Sequence, residues 1–395
     1  MAEEATRRLE SLGLHIAPGS SVAIATGSRG VAGAAEIVRA TVDFLESKGA
    51  RPFIIPAMGS HGGGTPEGQE EILASYGITA GLMGAEVRSS LEVVEITAPH
   101  LENKVFMDKL AWESDGVILV NRIKPHTDFR GRWESGLVKM AVIGLGKHRL
   151  AQEVHSYGIH GLRDLIMPTA RKIFETGRVL AGIGVVENAH DEPMVIEAIP
   201  ANDIIDREPA LLKVARENMP ALPLDTIDVL VVDTMGKDIS GVGIDTNIIG
   251  RMYIRGEEEP DRPAISSIIV SDLTPASHGN AIGMGLADII TRRMADKIDS
   301  AATYANSITS SFLDRAKMPL VAETDLNALS IGLRSAGCRA IDSAKVIRIR
   351  STLALEHLLV SQAVLDEINA ADDVELLSGP LPALSNDGNF VEFPT

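Results

Sequence analysis

The positions of five histidines in the first half of the chain give the first chemical signal in the sequence. They are His61, His126, His148, His155 and His160. An imidazole titrates near neutral pH, so two of them facing one substrate atom could remove and return a proton on opposite faces. A single histidine is more often a surface or capping residue. The local context therefore has to decide which of the five are catalytic candidates.

His61 and His126 are the strongest candidates because each follows an apolar run that predicts a buried strand. His61 comes after "RPFIIPAMGS" and before three glycines, and His126 comes after "DGVILVNRIKP". Open parallel sheets bind their ligands beyond the carboxyl ends of the strands. We therefore expect both imidazoles to face one crevice, with the glycines leaving room for a substrate.

Arg29 and Lys139 add two cationic side chains to this set. Arg29, in "TGSRG", presents a planar donor fork that suits a carboxylate, and an ordinary surface salt bridge explains it equally well. Lys139, in "ESGLVKMAVIGLG", has apolar neighbours. Such a lysine either extends along apolar surface to solvent or is an amine kept for its reactivity. Both alternatives stay open at this level.

The elements that would position these residues are those of an α/β fold. The segments "SVAIATGSRG", "AGAAEIVRATVDFLESKGA" and "RPFIIPAMGSHGG" predict a strand, a helix and a strand, which make a βαβ unit. A helix should begin in "TPEGQEEIL", with Thr65 as its N-cap and Pro66 in its first position. "HGLRDLIMPTARKIFETG" predicts an amphipathic helix, and "VLAGIGVVENAHDEPMVIEAI" predicts two strands around a turn.

A proline-bearing stretch, "ENMPALPLDTI", predicts the boundary between two α/β domains, residues 1–222 and 223–395. In the second domain "AISSIIVSDL" and "AKVIRIRST" predict strands, "AIGMGLADIITRRMADKI" predicts a helix, and "TDLNALSIGLRSAG" predicts a helix capped by Thr324 or Asp325. We expect the first domain to carry the histidines and the lysine. The second should close an active-site cleft between the domains, and the last residues can pack back on the first.

Composition narrows the class of protein. The chain of 395 residues has 37 basic and 54 acidic residues, a net charge of −17, so nucleic acid is not expected as a partner. No apolar run reaches the roughly 20 residues of a membrane span, and "MAEEATRRLESLG" lacks the apolar core of a signal peptide. We expect a soluble, cytoplasmic protein. Cys338 is the single cysteine, so a metal would need His, carboxylate or cofactor atoms as ligands.

The common signatures of other chemistries are missing from the sequence. No G-x-G-x-x-G stands between a predicted strand and helix, and there is no G-x-S-x-G, G-x-x-x-x-G-K-[ST] or H-E-x-x-H pattern. Standard dinucleotide binding, serine acyl transfer, P-loop phosphoryl transfer and zincin proteolysis are therefore disfavoured.

Taken in order, the remaining motifs resemble those of the nickel-pincer-nucleotide lactate racemases and their broader homologues, the 2-hydroxyacid racemases and epimerases. The matching pieces are "ATGSRG", "GSHGGGTPEGQEEIL", "IKPHTDFRGRWESGLVKM" and a histidine 16 residues after the lysine of the third piece. The likeness lies in motif order and context over most of the chain.

The resemblance implies a role for each candidate. His61 and His126 would be the two acid-base histidines, and Arg29 would hold the substrate carboxylate. Lys139 would carry a covalently bound pyridinium-type nucleotide that holds nickel, and His155 would be the protein's ligand to that metal. His148 and His160 are alternatives to His155. Two acid-base groups are needed because racemisation must run from either enantiomer.

Several positions depart from the pattern of the lactate racemases. Thr26 stands where they usually have aspartate, and Gly30 where they have proline. Gly243 and Thr246 fall near the glutamine and lysine of a second-domain loop. The interval from His126 to Lys139 is also about three residues longer than the resemblance leads us to expect. We therefore expect a 2-hydroxy acid other than lactate as the substrate.

The expected partners are that acid and, transiently, the proteins that make the cofactor, and self-association is compatible with the sequence. Two other readings stay open. One is a conventional metal-dependent hydrolase or lyase in which the same histidines bind zinc with Asp128 or Glu153. The other is a ligand-binding homologue without catalysis.

Overall fold

The structure is a computed structural model that describes residues 1–27, 30–368 and 374–393. The chain divides into two compact units, Met1–Met219 and Pro220–Thr395. Each unit is built on a six-stranded sheet with helices, so the predicted α/β fold class is confirmed. None of the helices in the described ranges is long and apolar enough to cross a membrane.

Unit 1 contains eight strands in its described residues. They are β1 Ser21–Thr26, β2 Arg51–Pro56, β3 Glu86–Val87, β4 Val93–Ile96, β5 Val105–Asp108, β6 Gly116–Arg122, β7 Val179–Glu187 and β8 Pro193–Pro200. The main sheet has the order β3-β2-β1-β6-β7-β8, and only β8 runs antiparallel to its neighbour. Strands β4 and β5 form a separate antiparallel pair.

The helices of unit 1 connect these strands and cover the sheet. They are α1 Ala2–Ser11, α2 Ala34–Ser47, α3 Pro66–Ser75, α4 Ala80–Met83, α5 Lys109–Glu113, α6 Leu137–Lys139, α7 Lys147–His155, α8 Gly158–His160, α9 Ile166–Phe174 and α10 Ile204–Glu217. Two π-helical turns, Met140–Gly144 and Gly161–Leu165, interrupt the helical segments. Such turns often occur at functional sites.

The apolar runs read in the sequence form the buried centre of this sheet. β1 is buried from Val22 to Thr26, and β6 is buried from Gly116 to Val120. Parallel strands covered by helices on both faces are apolar without alternation, which explains the continuous runs. β1 is the first strand and pairs with β2 on one side and with β6 on the other. The strand order therefore reverses between β1 and β6, where open α/β sheets have their ligand crevice.

Unit 2 repeats this design with a different strand order. Its strands are β9 Thr226–Met235, β10 Ala264–Leu273, β11 Ile289–Thr291, β12 Leu320–Ala322, β13 Val346–Ile349 and β14 Leu359–Val360, in the order β12-β11-β10-β9-β13-β14. Its helices are α11 Thr246–Ile249, α12 Arg292–Ala295, α13 Ser300–Ser310, α14 Asp325–Ser335 and α15 Gln362–Ile368. The order reverses between β9 and β13, and β14 is antiparallel to β13.

Local sequence signals predicted most of these elements, with one clear exception. The Thr65 hydroxyl accepts from Gly68 N and Thr324 from Asn327 N, so both predicted N-caps are confirmed. The single helix expected in "AIGMGLADIITRRMADKI" is wrong. That segment forms a 3₁₀ turn at Met284–Leu286, then β11 and the short α12. A Cβ on Gly285 would lie 2.1 Å from Asp314 O, and the following isoleucines pair with β10, so tertiary packing overrides the helical pattern.

The described part of the C-terminal tail contacts unit 2. Arg348 forms an ion pair with Asp233 and donates to Val391 O at 2.8 Å, and the rings of Phe390 and Phe393 lie over its guanidinium. Burial raises the pKa of Asp233, and the bond from Arg348 opposes that shift. The tail therefore covers a buried cation beside the sheet of unit 2.

Candidate active site at the carboxyl edge of the first sheet

The segments after β1 and β6 meet where the strand order of unit 1 reverses. A Cβ on Gly27 would lie 2.8 Å from Asn121 Oδ1, so the glycine lets the segment after β1 approach the end of β6. Asn121 in turn donates to Gly136 O at 2.9 Å. Arg29, the predicted carboxylate-binding residue, lies outside the described residues.

His126 follows β6 and is only 7% exposed. Its Nδ1 accepts from Asp128 N at 2.9 Å, so a neutral ring carries its hydrogen on Nε2. Nε2 is in contact with Lys139 Nζ. The Phe129 ring packs on the imidazole with its centroid 4.5 Å away. The ring is therefore held between the Asp128 backbone and Phe129, with Nε2 facing the lysine.

The His126 loop is organised by a buried carboxylate. Glu134 accepts from His126 N at 2.7 Å, from Gly131 N at 3.0 Å and from Arg216 Nη2 at 2.6 Å. The Glu134 side chain has no exposed surface, so its charge depends on these donors and on the guanidinium. The loop geometry around His126 is thus fixed from inside the protein.

Lys139 lies in the first turn of the helical segment that leads into α7. Gly136 precedes this turn, and Val138 N donates to the buried Glu208 carboxyl at 2.9 Å. The π-helical turn Met140–Gly144 follows directly. The sequence left open whether this lysine reaches solvent or is kept for reactivity, and its contact with His126 favours the second reading.

His155, at the end of α7, is electrostatically coupled to the same group. Burial lowers the pKa of His155, the charge of Lys139 lowers it further, and Asp128 acts in the opposite direction. A histidine must be neutral to bind a metal ion, and this environment favours the neutral form. The structure therefore brings His126, Lys139 and His155 together around Asp128.

His61 lies after β2 on an exposed loop that packs against the same helical segment. Gln69 donates to Gly59 O at 2.8 Å and to His61 O at 3.3 Å, which fixes the loop backbone. A Cβ on Gly59 would lie 3.0 Å from Ile143 O, in the π-helical turn after Lys139. The loop of His61 is thus adjacent to the Lys139 segment.

Two of the three glycines after His61 have a different role from the one expected, whereas Gly63 has nothing within 4 Å of where its Cβ would be. A Cβ on Gly62 would lie 2.5 Å from Gly68 C, and its φ is +66°, a conformation that favours glycine. Gly64 packs toward the ring of His148. These two glycines allow the loop to fold tightly on α3 and α7, so their space is filled by protein and not by substrate.

The alternative histidines differ in their surroundings. His148 Nδ1 is buried beneath Gly64 and has no hydrogen-bond partner among the described residues. His160 is exposed, with Asp164 2.8 Å from Nδ1 and Glu102 3.4 Å from Nε2, and these bonds raise its pKa. A raised pKa favours the protonated form, which cannot bind a metal, so His160 is the weaker alternative to His155.

Direct metal binding by several side chains finds no support in the described ranges. No three His, Cys, Asp or Glu residues there are grouped so that they could hold a metal ion. Glu153, a ligand in the zinc alternative, instead accepts from Lys104 N at 3.0 Å.

Sequence reasoning missed a second lysine close to the His61 loop. Lys147 is fully buried, 2.9 Å from Asp108 Oδ2, and also donates to Pro56 O at the end of β2. Burial lowers the pKa of Lys147, and Asp108 opposes that shift. Its φ of +54° is uncommon for a residue with a side chain. The signal in the sequence was weak, because a lysine at the start of a helix normally predicts an exposed residue.

Gly243 and Thr246, the two positions of unit 2 that depart from the family pattern, have structural roles. Gly243 has a φ of +79°, and a Cβ there would lie 2.3 Å from Ile282 O. Thr246 is fully buried at the start of α11. Nearby, Lys237 Nζ donates to Gly241 O at 2.5 Å and to Asn306 Oδ1 at 3.1 Å.

No protein-family model and no curated protein matches the chain. Among solved structures, the chain is similar to the structure of the lactate racemase apoprotein from Thermoanaerobacterium thermosaccharolyticum, with 15% identity and a TM-score of 0.53. The likeness covers 90% of this chain and 92% of that chain. At this level of identity it establishes the fold: the chain has a two-domain α/β fold like that of the apoprotein.

Proposed function

We propose that the protein is a racemase or epimerase that inverts the C2 centre of a 2-hydroxy acid with a nickel-pincer nucleotide bound to Lys139. The observation that carries this proposal is the contact between Lys139 Nζ and His126 Nε2, with His155 coupled to the same lysine. An amine, an acid-base imidazole and a neutral imidazole then share one site. The overall fold, like that of a lactate racemase apoprotein, supports the same reading.

The residues present fit the cofactor. A nucleotide that supplies two sulfurs and a carbon to nickel needs one further ligand from the protein, and square-planar coordination accepts a neutral imidazole. His155 offers that donor, since burial favours its neutral form. The part of the chain that the structure describes has no cluster of three ligands, so a metal carried by a cofactor suits it better than a bare ion.

The chain's own residues would divide the remaining work. When bound, the cofactor supplies a nickel-activated carbon that accepts and returns hydride. His126 would exchange the hydroxyl proton on one face of the substrate, and His61 would serve the other face. Arg29 would hold the carboxylate.

The proposed substrate is a polar 2-hydroxy acid other than lactate. Thr26 and Gly30 replace the aspartate and proline of the lactate racemases beside the proposed carboxylate site. The loop around Gly243 and Thr246 lacks the glutamine and lysine of that family.

The first test is the intact mass of protein produced together with the cofactor-making enzymes. The nucleotide should appear as a covalent adduct on the peptide that contains Lys139, and Lys139→Arg should remove it. Lys237→Arg is the matched control and should keep the adduct. An unmodified Lys139 peptide in protein that contains nickel would contradict the proposal.

The second test follows the hydrogen at C2. A panel of 2-deuterated hydroxy acids should be racemised with the deuterium retained, because a hydride that moves to the cofactor returns from it. Loss of the label to solvent would instead indicate proton abstraction and would favour a different mechanism. Tight binding of the acids without turnover in loaded protein would favour the non-catalytic reading.

A further inference from the structure

Helix α10 reaches both candidate segments through buried polar contacts. Near its start, Glu208 is 1% exposed and its Oε2 accepts from Val138 N at 2.9 Å. A Cβ on Gly136 would lie 2.5 Å from the Glu208 carboxyl carbon, so a side chain at that position would displace the carboxyl. The carboxyl therefore sits against the first turn of the segment that carries Lys139.

The other end of α10 holds the His126 loop. Arg216 Nη2 donates to Glu134 Oε1 at 2.6 Å and to Gly131 O at 2.9 Å. Glu134 in turn accepts a hydrogen bond from the backbone N–H of His126 at 2.7 Å, so Arg216 is connected to His126 through this carboxylate. The indole N–H of Trp133, in the same loop, donates to Ile205 O at 2.7 Å near the start of α10.

Helix α10 is a rigid spacer between these two contacts, the one from Glu208 to Val138 N and the one from Arg216 to Glu134. Eight residues separate Glu208 from Arg216, which is about 12 Å along the axis at 1.5 Å per residue, with a rotation of about 80°. The two side chains thus leave α10 on neighbouring faces, and they reach segments that are distant from each other in the sequence. Neither Glu208 nor Arg216 is part of the proposed chemistry.

We propose that α10 sets the position of His126 relative to Lys139, with Glu208 and Arg216 as positioning residues. The inference rests on the proposed function only for the roles of His126 and Lys139. The contacts with α10 do not depend on the cofactor, so they can be tested in protein that lacks it. If the contact of Glu208 or that of Arg216 is lost, the Lys139 amine moves away from His126 Nε2 and becomes more accessible to solvent.

The experiment measures the rate of labelling of individual lysines by an amine-reactive reagent, read by mass spectrometry on protein made without the cofactor enzymes. Arg216→Met and Glu208→Leu should each raise the labelling of Lys139 at least threefold. Arg216→Lys and Glu208→Gln keep a donor or an acceptor of similar reach, so their labelling should stay within twofold of the wild type. Lys213→Met on the same helix is the control, since Lys213 is 75% exposed.

Buried Lys147 reports whether a variant has merely loosened the fold. Its labelling should stay at the wild-type level while that of Lys139 rises, because its side chain has no exposed surface. Unchanged labelling of Lys139 in folded Arg216→Met would overturn the inference, as would a parallel rise at both lysines. Arg216 is partly exposed, so this variant decides the matter even if Glu208→Leu does not fold.

The outcome is separable from that of the proposed function. Protein with an unmodified Lys139 peptide but altered labelling in the variants would refute the cofactor proposal and keep the positioning role. An intact adduct with unaltered labelling would do the reverse.

Discussion

The two sheets have similar topology, yet the lysines at their carboxyl edges lie in different surroundings. In unit 1 the amine of Lys139 contacts the imidazole of His126 and is coupled to His155. In unit 2 the amine of Lys237 is bonded to the carbonyl of Gly241 and the amide of Asn306. Lys139 comes shortly after Gly136, and Lys237 follows Gly236 directly after β9.

The difference shows that two similar sheet edges can give a lysine very different neighbours. Carbonyl and amide oxygens only accept hydrogen bonds, so the contacts of Lys237 close a loop without a neighbouring acid-base group. An imidazole neighbour titrates near neutral pH and can take or give a proton. Unit 1 therefore has the features of a reaction site, and the lysine in unit 2 has those of a structural bond.

The largest expected effect on activity comes from replacing Lys139 with arginine, compared with the same replacement at Lys237. Lys139→Arg should abolish racemase activity, because an arginine cannot form the covalent link to the cofactor. Lys237→Arg keeps a cation near its two acceptors and should retain at least a third of the activity. Chiral chromatography of the product, after loading with the cofactor, measures both. Comparable activity in the two variants would show that the lysine at the sheet edge of unit 1 is no more important for the reaction than the lysine at the sheet edge of unit 2.

The histidines should give the next largest loss. His61→Ala and His126→Ala should each lower the rate by about 10²- to 10⁴-fold, the usual contribution of a positioned acid-base group. Both directions of the reaction should suffer, since each direction needs both groups. His278→Ala in unit 2 provides the comparison and should stay near the wild type. Full activity in either unit 1 variant would exclude that histidine from the mechanism.

The buried ion pair of Lys147 and Asp108 in unit 1 can be tested through the stability of the protein. Lys147→Met should lower the free energy of unfolding by about 3–5 kcal/mol, because it leaves the fully buried Asp108 carboxylate without its cation. Lys147→Met combined with Asp108→Asn should recover part of this loss. Urea unfolding of the single and double variants gives the values. A single variant as stable as the wild type would show that the pair is not needed for folding.

The smallest expected effect is the pH dependence that arises from Glu208. Burial raises the pKa of this carboxyl from 4.5 to about 7, although bonds from Val138 and Leu137 lower it. Between these two pH values the folded protein keeps a proton that the unfolded chain loses. The free energy of unfolding should therefore fall by about 3 kcal/mol as the pH rises from 4.5 to 7.

Glu208→Gln should remove this slope, so the variant should gain stability relative to the wild type as the pH rises. Glu217→Gln, on the same helix but with 59% of its side chain exposed, should leave the slope unchanged. Urea unfolding at pH 5, 6, 7 and 8 provides the measurement. Parallel curves for the wild type and Glu208→Gln would contradict the raised pKa.

Local patterns in the sequence were enough to predict much of the fold. The apolar runs gave β1, β2 and β6, and the caps at Thr65 and Thr324 marked where α3 and α14 begin. These features depend on neighbours a few residues away. The segment 281–298 failed because Gly285 and β11 respond to distant partners, Asp314 O and β10.

The order and spacing of His61, His126, Lys139 and His155 were readable in the sequence, and the resemblance to a family came from them. The sequence could also place each histidine after a strand, because parallel strands have a fixed direction. The roles of these residues, and that of Arg29, stay predictions that the experiments above address.

The tertiary structure alone decided what surrounds these residues. Glu134, Glu208 and Arg216 are ordinary charged residues in the sequence, and the ion pair of Lys147 with Asp108 joins positions 39 apart. A charged side chain can be buried only where partners from other segments meet it, and those partners are fixed by packing of the whole unit. The sequence therefore determined which candidate groups the chain carries, and the fold determined which of them meet.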